Sequence, residues 1–314
     1  MRTLEIVHRT RYDYAEPVVL GDYRLMFRPR DSHDLRLLHT GLVIEPAAQV
    51  RWIHDPFGNS IAIASFPDAP VKSLEFVSTI RLEHYGVLPD LQPIEEYARK
   101  LPFSYLAEEA PDLVRYVERH YPDPNAMVSN WARRFLDGEG EAANDTFATL
   151  TRMCRGIQET LKYAMRFEIG TQPPAVTLET GGGTCRDYAL LMMESVRALG
   201  IAARFVTGYL YDPVLDTAES EQGAHAYPHA WVEVYLPGAG WIEFDPTNGI
   251  VGTERLIRVA VGRDPEQAMP IKGSFTGPSG VAIEATVDVR VRSMMPAGMP
   301  EPQPVAPAPV STAA

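Results

Sequence analysis

Residues Gly181 to Leu199, GGGTCRDYALLMMESVRAL, constrain this chain more than any other stretch. Three glycines lead into one cysteine, and the cysteine opens an apolar run of helical period. The pattern predicts a helix starting at Cys185 and stopping at Gly200, apolar on nearly every side through Met193, which belongs in the middle of a fold. A cysteine at a helix start sits among unpaired N–H groups that together carry about half a positive charge and favour the thiolate, the nucleophilic form. Glycines ahead of it let a substrate chain approach the sulfur closely. The same residues also suit a Gly-rich turn before a core helix, with Cys185 as a small buried hydrophobe.

The stretch Tyr227 to Asn248, YPHAWVEVYLPGAGWIEFDPTN, shifts the balance. A histidine opens one strand-like run, a Pro-Gly turn follows, and a second run ends in an aspartate ahead of proline. A hairpin puts His229 and Asp245 on adjacent strands, where a carboxylate can orient an imidazole that faces a thiol delivered by a helix packed on the sheet. That is the nucleophile, base and orienter arrangement of acyl transfer. Together with IAARFVTGYLYD between them, these segments resemble the transglutaminase-like superfamily of bacterial cysteine enzymes, related to papain-like proteases in catalytic arrangement. The resemblance implies Cys185 as nucleophile, His229 as base, Asp245 as its orienter, and a thioester formed from a peptide, isopeptide or glutamine amide. Attack by water then makes a protease or amidase; attack by an amine acceptor makes a protein crosslinker. Hydrolysis is favoured, since water is always present and no segment reads as a dedicated amine site. An inactive peptide-binding module is the alternative of another class.

Acyl transfer needs donors for the oxyanion, and the Cys185 backbone N–H is the first. Papain-like relatives add a side-chain donor upstream of the cysteine, and Gln172 is the candidate by type. Gly183, Thr184 and Trp231 complete the candidate oxyanion and substrate contacts. Cys154 falls on the apolar stripe Phe147, Leu150, Cys154, Ile157, Leu161 and reads as a buried structural thiol, free rather than bridged to Cys185. A zinc site at His225 and His229 is disfavoured, because Pro228 separates them and extended backbone spreads four residues over about 13 Å. Animal transglutaminases resembling this core require calcium; no EF-hand-like run of oxygen ligands occurs here, so neither metal nor cofactor is expected.

The wider chain frames this core. With 314 residues, 45% of them hydrophobic, two domains are expected. Lys and Arg number 29 against 41 Asp and Glu, a formal charge of -12 that repels a nucleic-acid backbone. No apolar run of signal-peptide or membrane-spanning length occurs, so a cytoplasmic protein with no membrane partner is expected. Residues 1–88 read as an N-terminal antiparallel β-sandwich, with Asp55-Pro56-Phe57-Gly58-Asn59 as a turn, and RTRYDYAEPV, RPRD and HDPFGNS resemble the β region that often precedes this core in bacteria. His8, His33, His39, His54 and His84 lack metal-ligand spacing and read as surface or locally bonded.

Residues 89–293 read as the catalytic domain, with helices over 91–163 and the core over 164–293. Pro93 with Glu95 and Glu96 predicts a helix start, Leu113, Tyr116 and Val117 keep helical spacing, and Asn144 or Asp145 suits a cap after the GEGEAAND loop. The segment from Tyr163 to Gly183, with Pro173 and Pro174, reads as a loop walling a cleft. Asp187 favours the helix dipole; a direct substrate role for it or Arg186 is the lesser reading. DPVLDTAESEQGAHAY reads as an acidic loop able to close over the site. RLIRVAVG and VAIEATVDVRV are expected to complete the antiparallel sheet against the helix, and residues 294–314 to be a disordered Pro/Ala-rich tail. The fold class is therefore α+β, a β-sandwich followed by a papain-like, transglutaminase-type core.

Overall fold

The structure is a computed structural model that describes residues 1–86, 93–136, 144–164, 166, 168, 170–213, 224–226 and 228–294. The GEGEAA part of the capping loop, most of the acidic loop and the tail after Met294 lie outside the described residues.

The fold is α+β, an N-terminal antiparallel sheet region joined to a core of helices on a second antiparallel sheet. The first region is built on one strand of 27 residues, β1 (Arg2–Arg28). β2 (Leu35–Glu45), β3 (Gln49–His54), β4 (Ser60–Ser65) and β5 (Pro70–His84) follow, each bounded by the Pro, Gly, Asn or Asp positions that sequence reading marks as turns. The first half of β1 pairs β5, its second half pairs β4, and the two halves enclose an apolar cluster that includes Leu25, Phe27, Leu74 and Phe76.

The helices are α1 (Ala110–Val117), α2 (Met127–Arg133), α3 (Thr146–Thr160), α4 (Pro174–Thr180) and α5 (Cys185–Ala198). Asp145 caps α3 by accepting from Ala148 N–H at 2.7 Å. Two short strands, β6 (Lys162–Tyr163) and β7 (Gly182–Gly183), pair in parallel beside the start of α5. β8 (Ala203–Leu210), β10 (Pro228–Leu236), β11 (Gly240–Asp245), β12 (Ile250–Val251) and β13 (Leu256–Gly262) make the core sheet in the order β12-β11-β10-β8-β13. α5 packs across it: Leu190, Met193 and Val196 are wholly buried against Ala203, Phe205, Val232, Val234 and Phe244. At about 2 kcal/mol for each large side chain removed from water, this helix is the main apolar anchor of the core.

The other face of the core sheet is covered by the N-terminal region. Leu4, Ile6, Ile80 and Leu82 pack against Tyr209, Tyr211, Ile257 and Val259. The Asp55–Asn59 turn reaches the same face, where Asn59 exchanges two hydrogen bonds with the backbone of Val261, at 2.6 and 2.9 Å. His8 is buried at this junction, bonded to Tyr209 and Thr10, and burial holds its imidazole down at about 4.

Three expectations need correction. VAIEATVDVRV forms β15 (Ile283–Met294), but it pairs β1 along twelve residues and not the core sheet; β14 (Ile271–Thr276) and β9 (Ala224–Ala226) join the first sheet too. Its alternation fits either sheet, and the choice is made by the long free edge of β1. No helix starts at Pro93: only a 3-10 turn, Glu96–Ala98, forms, because the backbone beyond it bridges to the start of α3, Leu101 N–H to Asn144 O and Thr146 N–H to Arg99 O. The segment before Cys185 is not all loop, since Pro174 occupies a first helical position and opens α4. Among the described residues no helix is long and apolar enough to cross a membrane.

Candidate active site

Cys185 is the first residue of α5, preceded by the extended Thr184. The start of the helix is held by Asp187, whose carboxylate accepts from the Thr184 N–H at 2.9 Å and hydroxyl at 2.8 Å, from the Gln172 N–H at 2.8 Å, and from Arg166 through two bonds of 3.2 Å. Burial alone pushes this carboxyl up, but Arg166, the backbone donors and Thr184 outweigh it and keep Asp187 below the ordinary carboxylate range. A fixed anion under the first turn sets where the Cys185 N–H and side chain point. Cys185 itself is half-buried and free, and Cys154 is free and fully buried.

His229 and Asp245 come from the hairpin of β10 and β11. The paired ladder ends at Val232 and Phe244, so both residues lie where the two strands part, and Asp245 pairs onward with Ile250 of β12. His229 Nε2 is 2.8 Å from Asp245 Oδ2. That leaves Nδ1 for the sulfur, and the Cys185 side chain is near enough to the imidazole to raise its pKa together with Asp245. Burial alone pulls the imidazole down; Asp245, reinforced by Cys185, overcomes it and lifts His229 to about 10. Asp245 is wholly buried yet held below its ordinary range by His229, Asn248 and the Thr247 N–H.

The segment after Asp245 folds back onto it. Oδ1 accepts from the backbone of Thr247 at 2.9 Å and of Asn248 at 3.4 Å, while Oδ2 accepts from Asn248 Nδ2 at 2.7 Å as well as from His229. Behind the imidazole, the Trp231 ring stacks at 6.0 Å and 29°. Tyr163 stands close enough to Cys185 for its hydroxyl to feel the Cys185 backbone N–H, and its ring, 49% exposed, lies 6.3 Å from that of Tyr188. Among the described residues no three His, Cys, Asp or Glu side chains converge as a metal-binding group.

Residues 129–246 match the transglutaminase-like superfamily core, and residues 4–83 match the bacterial transglutaminase-like N-terminal region. Over 307 residues the chain is 35% identical to an uncharacterized protein of Mycobacterium leprae (strain TN), covering 92% of this chain and 99% of that one. The chain belongs to the transglutaminase-like superfamily. A crystal structure described as a candidate cysteine protease from Cytophaga hutchinsonii superposes with a TM-score of 0.69 over 95% of this chain and 93% of that one, at 17% identity, and so shares the fold. A shorter likeness, 41% over 70 residues, is to a protein-glutamine gamma-glutamyltransferase of Pseudomonas aeruginosa, 22% of this chain and 10% of that protein.

Within this transglutaminase-like core the other four sequence candidates are placed differently from Cys185, His229 and Asp245. Gln172 commits its amide N–H groups to Gly182 O at 2.7 Å and Thr177 Oγ1 at 3.0 Å. Gly183 is buried, and a Cβ there would stand 2.9 Å from both Asp187 and Gln172, so its lack of a side chain is needed for packing. Thr184 is spent on Asp187. Trp231 is wholly buried among Val206, Leu256 and Val261 and supports His229 from behind without reaching solvent. Asp187, likewise wholly buried, acts on the helix start. Sequence reading assigned no role to Asn248, Tyr163 or Arg166. Asn248 lies three residues after Asp245 in the quoted DPTN, the spacing at which a turn returns a side chain to its first residue; Tyr163 and Arg166 leave no local signal.

Proposed function

We propose that this chain is a cysteine-dependent acyl-transfer enzyme acting on amide carbonyls of peptides or proteins, with Cys185, His229 and Asp245 as its triad. The observation that carries this reading is the imidazole bonded to a buried carboxylate and electrostatically coupled to a cysteine at a helix start. His229 takes the proton of Cys185, the sulfur attacks the carbonyl carbon, and the carbonyl oxygen, as it gains charge, meets the Cys185 N–H and the Tyr163 O–H. The imidazolium of His229 gives its proton to the departing amine as the carbon–nitrogen bond breaks, leaving a thioester. Water, deprotonated by the now neutral His229, then attacks the thioester, releases the acid and restores the thiol. Asp245 holds one imidazole tautomer throughout. Hydrolysis is the favoured outcome. Crosslinking is the second reading, supported by the local likeness to a protein-glutamine gamma-glutamyltransferase.

The deciding experiment incubates the full chain with glutamine-containing peptides, with and without monodansylcadaverine, and reads products by mass spectrometry. Cleaved or deamidated peptide means hydrolysis; a dansyl adduct means amine transfer. Cys185→Ala is expected to abolish either. Full activity in that variant, or no thioester and no turnover by the wild type, would replace this reading with the peptide-binding module.

A further inference from the structure

Asp245 Oδ2 has two donors, His229 Nε2 at 2.8 Å and Asn248 Nδ2 at 2.7 Å. An ionised carboxylate only accepts, so the amide must present its nitrogen, and the amide orientation is settled by chemistry. The 3.4 Å separation of Asn248 Nδ2 and His229 Nε2 is then two donors converging on one oxygen, not a bond between them. The backbone N–H of the same asparagine reaches Oδ1 at 3.4 Å. One exposed residue therefore grips both oxygens of a wholly buried carboxylate.

We propose that Asn248 is a positioning residue of the triad: by sharing Asp245 Oδ2 with His229 it fixes the carboxylate and limits how firmly that oxygen holds the imidazole proton. This rests on the triad reading given above. The chemistry explains the need. The imidazolium has to surrender its proton to a leaving amine, and an acid held too firmly by its partner transfers that proton more slowly. A second donor on the shared oxygen drains charge from it, and the positive edge of the amide beside the ring opposes the imidazolium directly. Both effects have the same sign. The other groups facing His229 are Asp245 on β11, Cys185 on α5 and, across the sulfur, Tyr163 on β6; α3 brings Cys154 and Arg155 behind Asp245 and Gly249.

The test needs no substrate. Alkylation of Cys185 by iodoacetamide is followed from about pH 5 to pH 11 on the full chain, with the modified peptide read by mass spectrometry so that Cys154 does not contribute. The alkaline step, where His229 loses its proton, lies near 10 in the wild type. Asn248→Leu keeps the shape and removes both amide donors, and is expected to move that step upward by about half a unit or more, roughly threefold in proton affinity. Asn248→Asp, which adds a negative charge, is expected to move it further, and Asn248→Gln, which keeps the amide, to return it toward the wild type. A step that stays or falls in the Leu and Asp variants while Asp245→Asn lowers it overturns the role of Asn248 and leaves the triad standing. A step indifferent to Asp245→Asn overturns both.

Discussion

Asp245 Oδ2 lies 2.8 Å from Nε2 of His229, and this contact, reinforced by Cys185, reverses what burial would do to the imidazole. His229 is lifted from 6.5 to about 10, so its stabilising contribution is complete below about 6.5 and is lost as pH rises through about 10. Asp245 is lowered from 3.8, so its contribution is complete above that value and is lost as pH falls through the folded value. In the proposed mechanism acylation uses the imidazolium, and its rate is therefore expected to fall on the alkaline side with a midpoint near 10. Asp245→Asn should bring that limb toward neutrality and cut kcat/KM on the order of 10²–10⁴-fold with the fold intact. A pH–rate profile of both proteins checks this; an unmoved limb rejects the assigned pairing.

The start of α5 depends on a buried charge pair. Replacing Asp187 by Ala leaves Arg166, four-fifths buried, and three other donors without their acceptor. Losing one partner of such a pair costs about 3–5 kcal/mol. Urea denaturation is expected to show a loss of that order, and Cys185 alkylation should slow in the fraction that remains folded.

Tyr163 and Gln172 divide the question of the second oxyanion donor. The Tyr163 hydroxyl is at the Cys185 N–H, whereas the Gln172 amide is spent on Gly182 and Thr177. Tyr163→Phe should lower kcat on the order of 100-fold with little change in KM. Gln172→Ala should chiefly lower the melting temperature. The opposite pattern in steady-state kinetics would return Gln172 to the role its residue type suggests.

Gly208 sits opposite His229 in the β8–β10 pair. A Cβ there would collide with the Ile257 carbonyl oxygen and stand 2.7 Å from the Trp231 ring. Gly208→Ala is expected to destabilise the fold by about 1–3 kcal/mol and to displace Trp231, hence His229. Thermal melting with Trp fluorescence reads both effects; a variant with wild-type melting and spectrum would show that the sheet has more room than this packing allows.

The elements legible in the sequence are those whose cause is local. α5 announces itself by period and by the glycines before it, the β10–β11 hairpin by its turn, and α3 by Asp145 and an apolar stripe. α4 escapes notice because seven residues, opening on the second of two prolines, are too few to show a period. β15 reads correctly as a strand, but alternation says nothing about which edge receives it. Gln172 is a plausible donor by type, and only the positions of Gly182 O and Thr177 Oγ1 show where its hydrogens go. Trp231 beside the histidine invites a substrate role, while strand packing buries it.

By itself the sequence determined a cysteine at a helix start, a histidine and an aspartate on one hairpin, and the α+β class, because caps, turns and periodicities act between residues a few positions apart. The tertiary structure alone decided that Asn248 and His229 share one oxygen, that Tyr163 stands by the Cys185 N–H while the Gln172 amide bonds Gly182 and Thr177, and that β15 lies between β1 and β9 in the first sheet. Hydrogen bonds and charge coupling depend on separations of about 3 Å, and residues distant in the chain reach those separations only when the sheets and helices have packed.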